Sequence, residues 1–191
     1  MIITSPKEYT VWFHTKIANR LGGRWPEMLY DHETLAMLID KFNVHSVLEI
    51  GTWEGLTALF MWLHPDIERL KTIDICKEYG HGYHKPENGV YAYHLQGTKA
   101  EFQIISSLDY VPGPSEHWDM VFIEGNHEYE YVKSDFALAK KMTPKVIAFH
   151  DLSNGNPGVD KFIAELRTVP DQASRLVVVG NGSCIGYYIN I

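Results

Sequence analysis

Val47-Leu48-Glu49-Ile50-Gly51-Thr52-Trp53-Glu54-Gly55 decides how this chain folds. Ser46–Ile50 is a short apolar run, broken by one acid and stopped by glycine, which reads as a buried strand. Leu56–Leu63 follows at once and is apolar almost all round, as a helix buried on most of its surface would be. A strand that turns directly into a helix needs glycine where the backbone bends and where a ligand comes close. Working outward, Leu70–Ile75, Glu101–Ser106, Trp118–Glu124 and Val146–Phe149 repeat the strand pattern. Between and around them, three sets keep helical spacing. These are Leu35, Leu38, Ile39 and Phe42; Tyr129, Val132, Phe136 and Ala139; and Val159, Phe162, Ile163 and Leu166. Strands alternating with helices over residues 47–166 predict an α/β fold, a doubly wound and mostly parallel seven-stranded Rossmann-like sheet. Leu176–Val179 and Ile185–Ile189, around Gly180-Asn181-Gly182, predict a C-terminal hairpin that adds an antiparallel edge.

No repeat, low-complexity tract or linker divides the chain, so residues 1–191 form one domain. Residues 1–30 are an N-terminal extension, a short helix and a loop around Gly22-Gly23 and Pro26. Residues 31–191 are the core, with a long loop at 77–98. The 191 residues carry 17 basic and 24 acidic side chains, a net charge of −7 without any basic run. That disfavours nucleic acid, whose sequence-blind binding depends on Lys and Arg. No apolar stretch reaches the ~18 residues of a membrane span. Cys76 and Cys184 are not spaced as a redox or zinc pair, and no signal peptide is seen, which points to a reducing, cytoplasmic setting. Ten histidines are many for this length.

In such a sheet, ligands bind beyond the carboxyl ends of the strands, where strand order reverses. The residues there are Gly51–Gly55, Asp74, Ser106-Ser107, Glu124-Gly125-Asn126-His127 and His150-Asp151. Two glycines four apart suit a tight turn as well as a ligand. An acid at the position of Asp74 can accept both hydroxyls of a ribose, which shifts the balance toward a nucleoside. The dinucleotide fingerprint is absent, because Trp53 stands where its second glycine would be, and no phosphate-cradling G-x-x-x-x-G-K-[ST] occurs. Glu49, Glu54, Asp74, Glu124 and Asp151 gather at these ends, and no Lys or Arg stands near the first glycine loop. A cofactor with positive charge and no phosphate fits that setting, and S-adenosylmethionine has both properties.

At these residues the sequence resembles the class I S-adenosylmethionine-dependent methyltransferases, in particular their methyltransferase-24-type small-molecule branch. The likeness runs from about Val44 to Leu166. It rests on Val47–Thr52 with Gly55 and Thr57, on Thr72-Ile73-Asp74, and on Trp118–Gly125. Gly125-Asn126-His127-Glu128-Tyr129 with Val132 and Asp135 continues it, then Phe149-His150-Asp151. The resemblance implies the Rossmann-like methyltransferase fold, with Glu49, Gly51, Thr52, Gly55 and Glu124 along the methionine part of the cofactor. It implies Asp74 at the ribose and Ser106 and Ser107 by the adenine, although Gly97-Thr98 is a second candidate for the end of strand three. Two departures stand out. Glu124-Gly125 replaces the family's Asp-Gly, and Thr143-Pro144-Lys145 replaces a glycine-containing turn.

Methyl transfer from a sulfonium is an in-line displacement, so positioning supplies on the order of 7–11 kcal/mol of its barrier. An oxygen nucleophile must also lose a proton. His127, His150 and Asp151 are the candidate catalytic residues. In related metal-dependent O-methyltransferases side chains past strands four and five bind Mg²⁺, which makes Glu124, His150 and Asp151 the candidate set for a divalent cation. Histidine suits transition metals or zinc better than Mg²⁺. The two routes, metal-assisted and direct base, both stay open at this level.

Plainer roles stand beside these. His127 could fix its loop or cap the helix near Glu128, and Asp151 could cap Leu152-Ser153. Asp135 reads as solvated or salt-bridged, and His81, His84 and His94 as members of a surface loop rather than a lid or second metal site. His14, His32, His45, His64 and His117 read as surface or boundary residues, and Trp53 as packing either on the cofactor or in the core. The expected partner is a small-molecule acceptor, selected by the N-terminal segment and the 77–98 loop, with monomer and homodimer both open. The competing functions are a nucleotide-binding oxidoreductase or hydroxylase-like relative on the same fold, and a cofactor-binding module without catalysis.

Overall fold

The computed structural model describes residues 5–18, 28–75, 100–180 and 182–190. Gly22-Gly23, Pro26, Cys76, the whole 77–98 loop with His81, His84, His94 and Gly97-Thr98, and Asn181 lie outside the described residues. Helix α1 (Pro6–Lys16) starts on Ser5, whose hydroxyl accepts the Glu8 N–H at 3.3 Å, with Pro6 at the first helical position. Then follow α2 (Met28–Phe42), β1 (Ser46–Ile50), α3 (Leu56–Trp62), β2 (Arg69–Asp74), β3 (Glu101–Ile104) and β4 (Met120–Ile123). The chain continues with α4 (Tyr129–Lys141), β5 (Val146–Phe149), α5 (Pro157–Thr168), the single turn α6 (Pro170–Ala173), β6 (Leu176–Val178) and β7 (Gly186–Ile189).

The seven strands lie in the order β3-β2-β1-β4-β5-β7-β6. β1 to β5 pair in parallel, and β7 runs antiparallel to both β5 and β6. The expected hairpin is present, but its antiparallel strand is not the edge. β7 inserts between β5 and β6, so its Tyr187 and Tyr188 are buried while Val177 and Val178 on β6 stay exposed. Strand order reverses between β1 and β4, which places the ligand crevice at the ends of these two strands.

Each face of the sheet carries its own core. Tyr9, Phe13, Leu35, Ile39 and Phe60 of α1 to α3 cover Val47, Met120 and Val146. Val132, Phe136, Phe162 and Ile163 of α4 and α5 cover Leu48, Ile50, Val121 and Ile147. Because side chains alternate along a strand, Glu49 shares the first face with Val47. It is fully buried there, an acid at a position where apolar side chains are the rule.

Two of the five histidines read as surface or boundary residues are instead buried. His32 is stacked on Phe60 with ring centroids 4.3 Å apart, and its Nδ1 lies 2.9 Å from Nε2 of His14. His64 is buried with its ring edge-on to Tyr9. Asp135 is buried as well, rather than solvated, for it lies on the α4 face that packs on the sheet.

Candidate active site

The turn after β1 is built by close approach. Gly51 has φ +97°, and a Cβ there would stand 2.3 Å from the Glu124 carbonyl oxygen, so only glycine lets the ends of β1 and β4 meet. The backbone N–H groups of Thr52 and Trp53 both donate to Asp74 Oδ2, at 2.9 and 3.0 Å. Asp74 thus holds the shape of the turn from the end of β2. Trp53 takes φ +44° and is 46% exposed, so its side chain stands at the mouth of the crevice instead of in the core. Gly55, at φ +81°, leads into α3. Met28, Thr52 to Thr57 and Glu124 line a shallow, open cleft at this turn.

Behind the turn, Glu49 Oε2 accepts the Thr72 hydroxyl, which itself meets the hydroxyl of Thr52. Glu49 Oε1 is buried without a hydrogen-bond partner. Burial, then the neighbouring Glu124 and Asp74 carboxylates, push the Glu49 carboxyl well above its usual range, against the pull of Thr72. Burial likewise lifts Glu124 to about 7, with Asp151 and Asp31 adding and His150 and His127 opposing.

His150, past β5, is the hub of a second cluster. Its Nε2 lies 3.2 Å from Asp31 Oδ2, and its Nδ1 lies 3.2 Å from Glu124 Oε1 and 3.5 Å from Asp151 Oδ1. Burial favours the neutral ring, but Glu124, Asp151 and Asp31 together outweigh it and hold the imidazole protonated, its pKa pushed up to about 11. His127 Nε2 stands 2.9 Å from Asp151 Oδ2. Burial raises the Asp151 carboxyl, yet its contacts with His127 and His150 prevail and hold it well below the carboxylate range. Asp151 adopts φ +62°, a conformation that Asp tolerates better than most residues, and this bend aims its side chain back at the two rings.

Glu124, His127, His150 and Asp151 therefore converge, and Glu124 joins their cluster to the glycine turn. Asp151 caps no helix, because the next one starts at Pro157 behind Asn156. The loop role considered for His127 belongs to Asn126, whose Oδ1 accepts the Glu128 N–H at 2.8 Å. Ser106 and Ser107 follow β3 after Ile105, whose N–H donates to the Asp74 carbonyl at 2.8 Å. Asp31 is the member that sequence reasoning missed. Its Oδ1 accepts the Cys184 N–H at 2.6 Å and the Ser183 hydroxyl at 2.8 Å, bolting the β6–β7 turn to α2 and to His150.

Among the described residues, a trio whose ligand atoms all lie within 4.8 Å of one another is Asp40, His64 and Asp66, away from the carboxyl ends of the strands. His64 faces Asp40 through Nε2, at 3.5 Å, and Asp66 through Nδ1, at 4.0 Å. The two acids sit on opposite ring nitrogens, an arrangement that balances a buried histidine rather than one that closes on a cation. No described helix is long and apolar enough to cross a membrane.

The methyltransferase-domain family model matches residues 48–152, more than half of the chain, from within β1 to the residue after Asp151. The uncharacterized protein R132 of Acanthamoeba polyphaga mimivirus is 27% identical over 163 residues, covering 78% of this chain and 72% of that protein. Two solved structures show the same fold. The O-methyltransferase TomG from Streptomyces achromogenes, in complex with SAM, superposes with TM-score 0.60 at 19% identity, over 99% of this chain and 91% of that one. The O-methyltransferase from Bacillus cereus, in complex with SAH, gives 0.56 at 16% identity, over 99% and 92%.

Proposed function

We propose, from the premise that this chain belongs to the class I S-adenosylmethionine-dependent methyltransferases, that it methylates a hydroxyl oxygen of a small-molecule acceptor. The observation that carries this reading is the crowd of acids at the ends of β1, β2 and β4. The Glu124 and Asp74 carboxylates both bear on the buried Glu49, and Glu49 Oε1 has no hydrogen-bond partner. A cofactor that is cationic and free of phosphate relieves that repulsion, whereas a dinucleotide or ATP would add to it. Glu49, Gly51, Thr52, Gly55 and Glu124 would hold its methionine part, Asp74 its ribose, and Ser106 and Ser107 its adenine. When bound, the sulfonium supplies an electrophilic methyl group.

The remaining task for the chain is to take the acceptor's proton, and the two histidines are not equivalent for it. His150 already holds a proton among three carboxylates, so it balances charge. The His127 side chain is 38% exposed, yet its Nε2, against Asp151, is sealed from solvent. The other edge of the ring therefore faces outward. There Nδ1 accepts the hydroxyl proton while Asp151 stabilises the imidazolium that forms, an acid–base pairing of the kind used to activate hydroxyls elsewhere. A hydroxyl is the acceptor group that most needs such a base, and two fold relatives are named O-methyltransferases.

A divalent cation would fall to Glu124, His150 and Asp151. That donor set does not fit one, because the protonated His150 ring already stands between the acids, its Nδ1 3.2 Å from Glu124 Oε1 and 3.5 Å from Asp151 Oδ1, where a cation would have to sit. The proton path through His127 needs no metal. Incubation with methyl-labelled S-adenosylmethionine and a panel of phenols, catechols and sugar alcohols tests the proposal. Label should reach an oxygen of at least one acceptor, survive chelation, and fall by about 10²-fold or more in His127→Gln. Transfer that stops on chelation and returns with Mg²⁺ would reinstate the metal. Transfer to nitrogen only, or none across a broad panel, would overturn the hydroxyl reading.

A further inference from the structure

His14 and His32 are histidines that the proton-transfer scheme leaves unused, and they lie in line with the cleft at the glycine turn. His14, half-buried in the last turn of α1, brings its Nε2 within 2.9 Å of Nδ1 of His32 on α2. The other ring nitrogen of His32, Nε2, lies 3.5 Å from Oγ1 of Thr57. Thr57 stands in the first turn of α3 and lines the cleft, and His32 is the hydrogen-bond partner of its hydroxyl among the described residues.

His32 cannot answer a change at either end by turning. It is fully buried, lies flat on Phe60 with 9° between the rings, and meets Phe13 edge-on. Nor does it take a charge, because burial, then His14 on α1 and His150 beyond β5, keep the ring neutral. Asp31, its neighbour on α2, is turned to His150 and the β6–β7 turn instead. A clamped neutral imidazole keeps one freedom, which of its two nitrogens carries the proton.

That freedom couples the two ends. The facing nitrogens of His14 and His32 hold one proton between them. With the proton on His32 Nδ1, Nε2 is bare and accepts the Thr57 O–H, so the Thr57 oxygen can only accept from a ligand. With the proton on His14 Nε2, His32 carries its own on Nε2 and donates to Thr57, which frees the hydroxyl proton for the cleft. A charged His14 has hydrogen on both nitrogens and permits only the second arrangement. Burial pulls the His14 pKa below its ordinary value, which puts that event in mildly acid solution.

We propose that His14 and His32 form a two-ring relay that sets the direction of the Thr57 hydroxyl, so that a proton taken up at His14 makes Thr57 a donor toward the carboxylate of the cofactor's methionine part. In a cleft walled by Glu124, with Glu49 behind the turn, an ammonium meets acceptors, and a carboxylate is the group that gains from a donor. His14 and His32 are positioning residues that act through Thr57. The inference rests on the reading that this cleft holds the methionine part.

The test is calorimetric titration of the full chain, at pH 7 and at pH 5, with S-adenosylhomocysteine and with its decarboxylated analogue, which keeps the ammonium and lacks the carboxylate. On acidification the preference for S-adenosylhomocysteine should rise in wild type about threefold or more beyond its rise in His14→Gln, whose amide cannot charge. The readout is this difference between proteins, because Glu124 titrates in both and acts on the ammonium of both compounds. Thr57→Val should show the smaller trend of His14→Gln, and it reads the same relay should the α1 substitution impair folding. A thermal melt at each pH separates altered binding from lost structure. Equal trends in wild type and His14→Gln, or the full trend retained in Thr57→Val, would overturn the inference while leaving the cofactor assignment standing. Failure of wild type to bind S-adenosylhomocysteine at either pH would overturn the cofactor assignment, and this inference with it.

Discussion

His150 Nε2 lies 3.2 Å from Asp31 Oδ2, a contact that joins the first turn of α2 to the end of β5 across 119 residues of chain. The same carboxylate receives the Cys184 N–H and the Ser183 hydroxyl. Asp31→Ala would leave three donors unmatched in a buried place. The expected loss is about 2–4 kcal/mol in urea unfolding, with Asp31→Asn costing less because it keeps an acceptor. A loss under about 0.5 kcal/mol for the alanine variant would show that these contacts do not hold the turn.

Gly51 is constrained twice, by φ +97° and by a Glu124 carbonyl 2.3 Å from any added Cβ. The obstacle is backbone, which cannot swing aside as a flexible side chain would. Gly51→Ala should destabilise by about 3 kcal/mol or more and depress cofactor binding with it. Gly155→Ala makes a control. Gly155 also has positive φ, at +80°, but a Cβ there meets nothing within 4 Å. Its cost should stay near the ~1 kcal/mol of the left-handed backbone alone.

Glu124 ties cofactor affinity to pH. Its pKa stands at about 7 in the free protein, above its ordinary value, chiefly through burial. A cationic ligand favours the carboxylate, so binding must lower that pKa and release protons near neutrality. Affinity for S-adenosylmethionine should therefore rise as pH goes from 6 to 8, and titrations in buffers of different ionisation enthalpy should report proton release. Glu124→Gln should flatten the trend. Proton uptake in wild type would contradict the charge-relief argument.

His32 makes folding stability, too, fall as pH falls. Burial first, then His14 and His150, hold its pKa well below 6.5, so the unfolded chain binds a proton that the folded chain refuses. Stability from this group is full above its unfolded pKa and falls as pH drops below about 6.5. Glu124 gains stability over part of the same range, since its folded pKa is raised, so the informative quantity is a difference between proteins. Wild type should lose more stability between pH 7 and 5 than His32→Asn. Identical slopes in the two would rule out a neutral buried His32.

The parts of this site legible in the sequence are those whose position along the chain coincides with a strand end. Gly51, Asp74, Glu124, His127 and His150-Asp151 all lie just past strands, so recognising the strands locates them. Asp31 carries no such signal, because it reaches the site from a helix start and only the packing of α2 beside β5 and the β6–β7 turn brings it in. His32 and Asp135 did carry one. His32, Leu35, Ala36 and Ile39 share a helical stripe, and Asp135 lies three residues after Val132, so the spacing placed both on buried faces although their polarity suggested otherwise. The insertion of β7 between β5 and β6 is a matter of sheet order. Local pattern marks a hairpin but not which of its strands joins the sheet.

Calorimetric titration of the purified chain with S-adenosylhomocysteine, NAD and ATP in parallel tests most directly whether a phosphate-free adenosyl cofactor is held at the ends of β1, β2 and β4. S-adenosylhomocysteine should bind saturably at one site per chain, at least about tenfold more weakly in Asp74→Ala, and NAD and ATP should not bind. Saturable binding of NAD with no response to S-adenosylhomocysteine would contradict it.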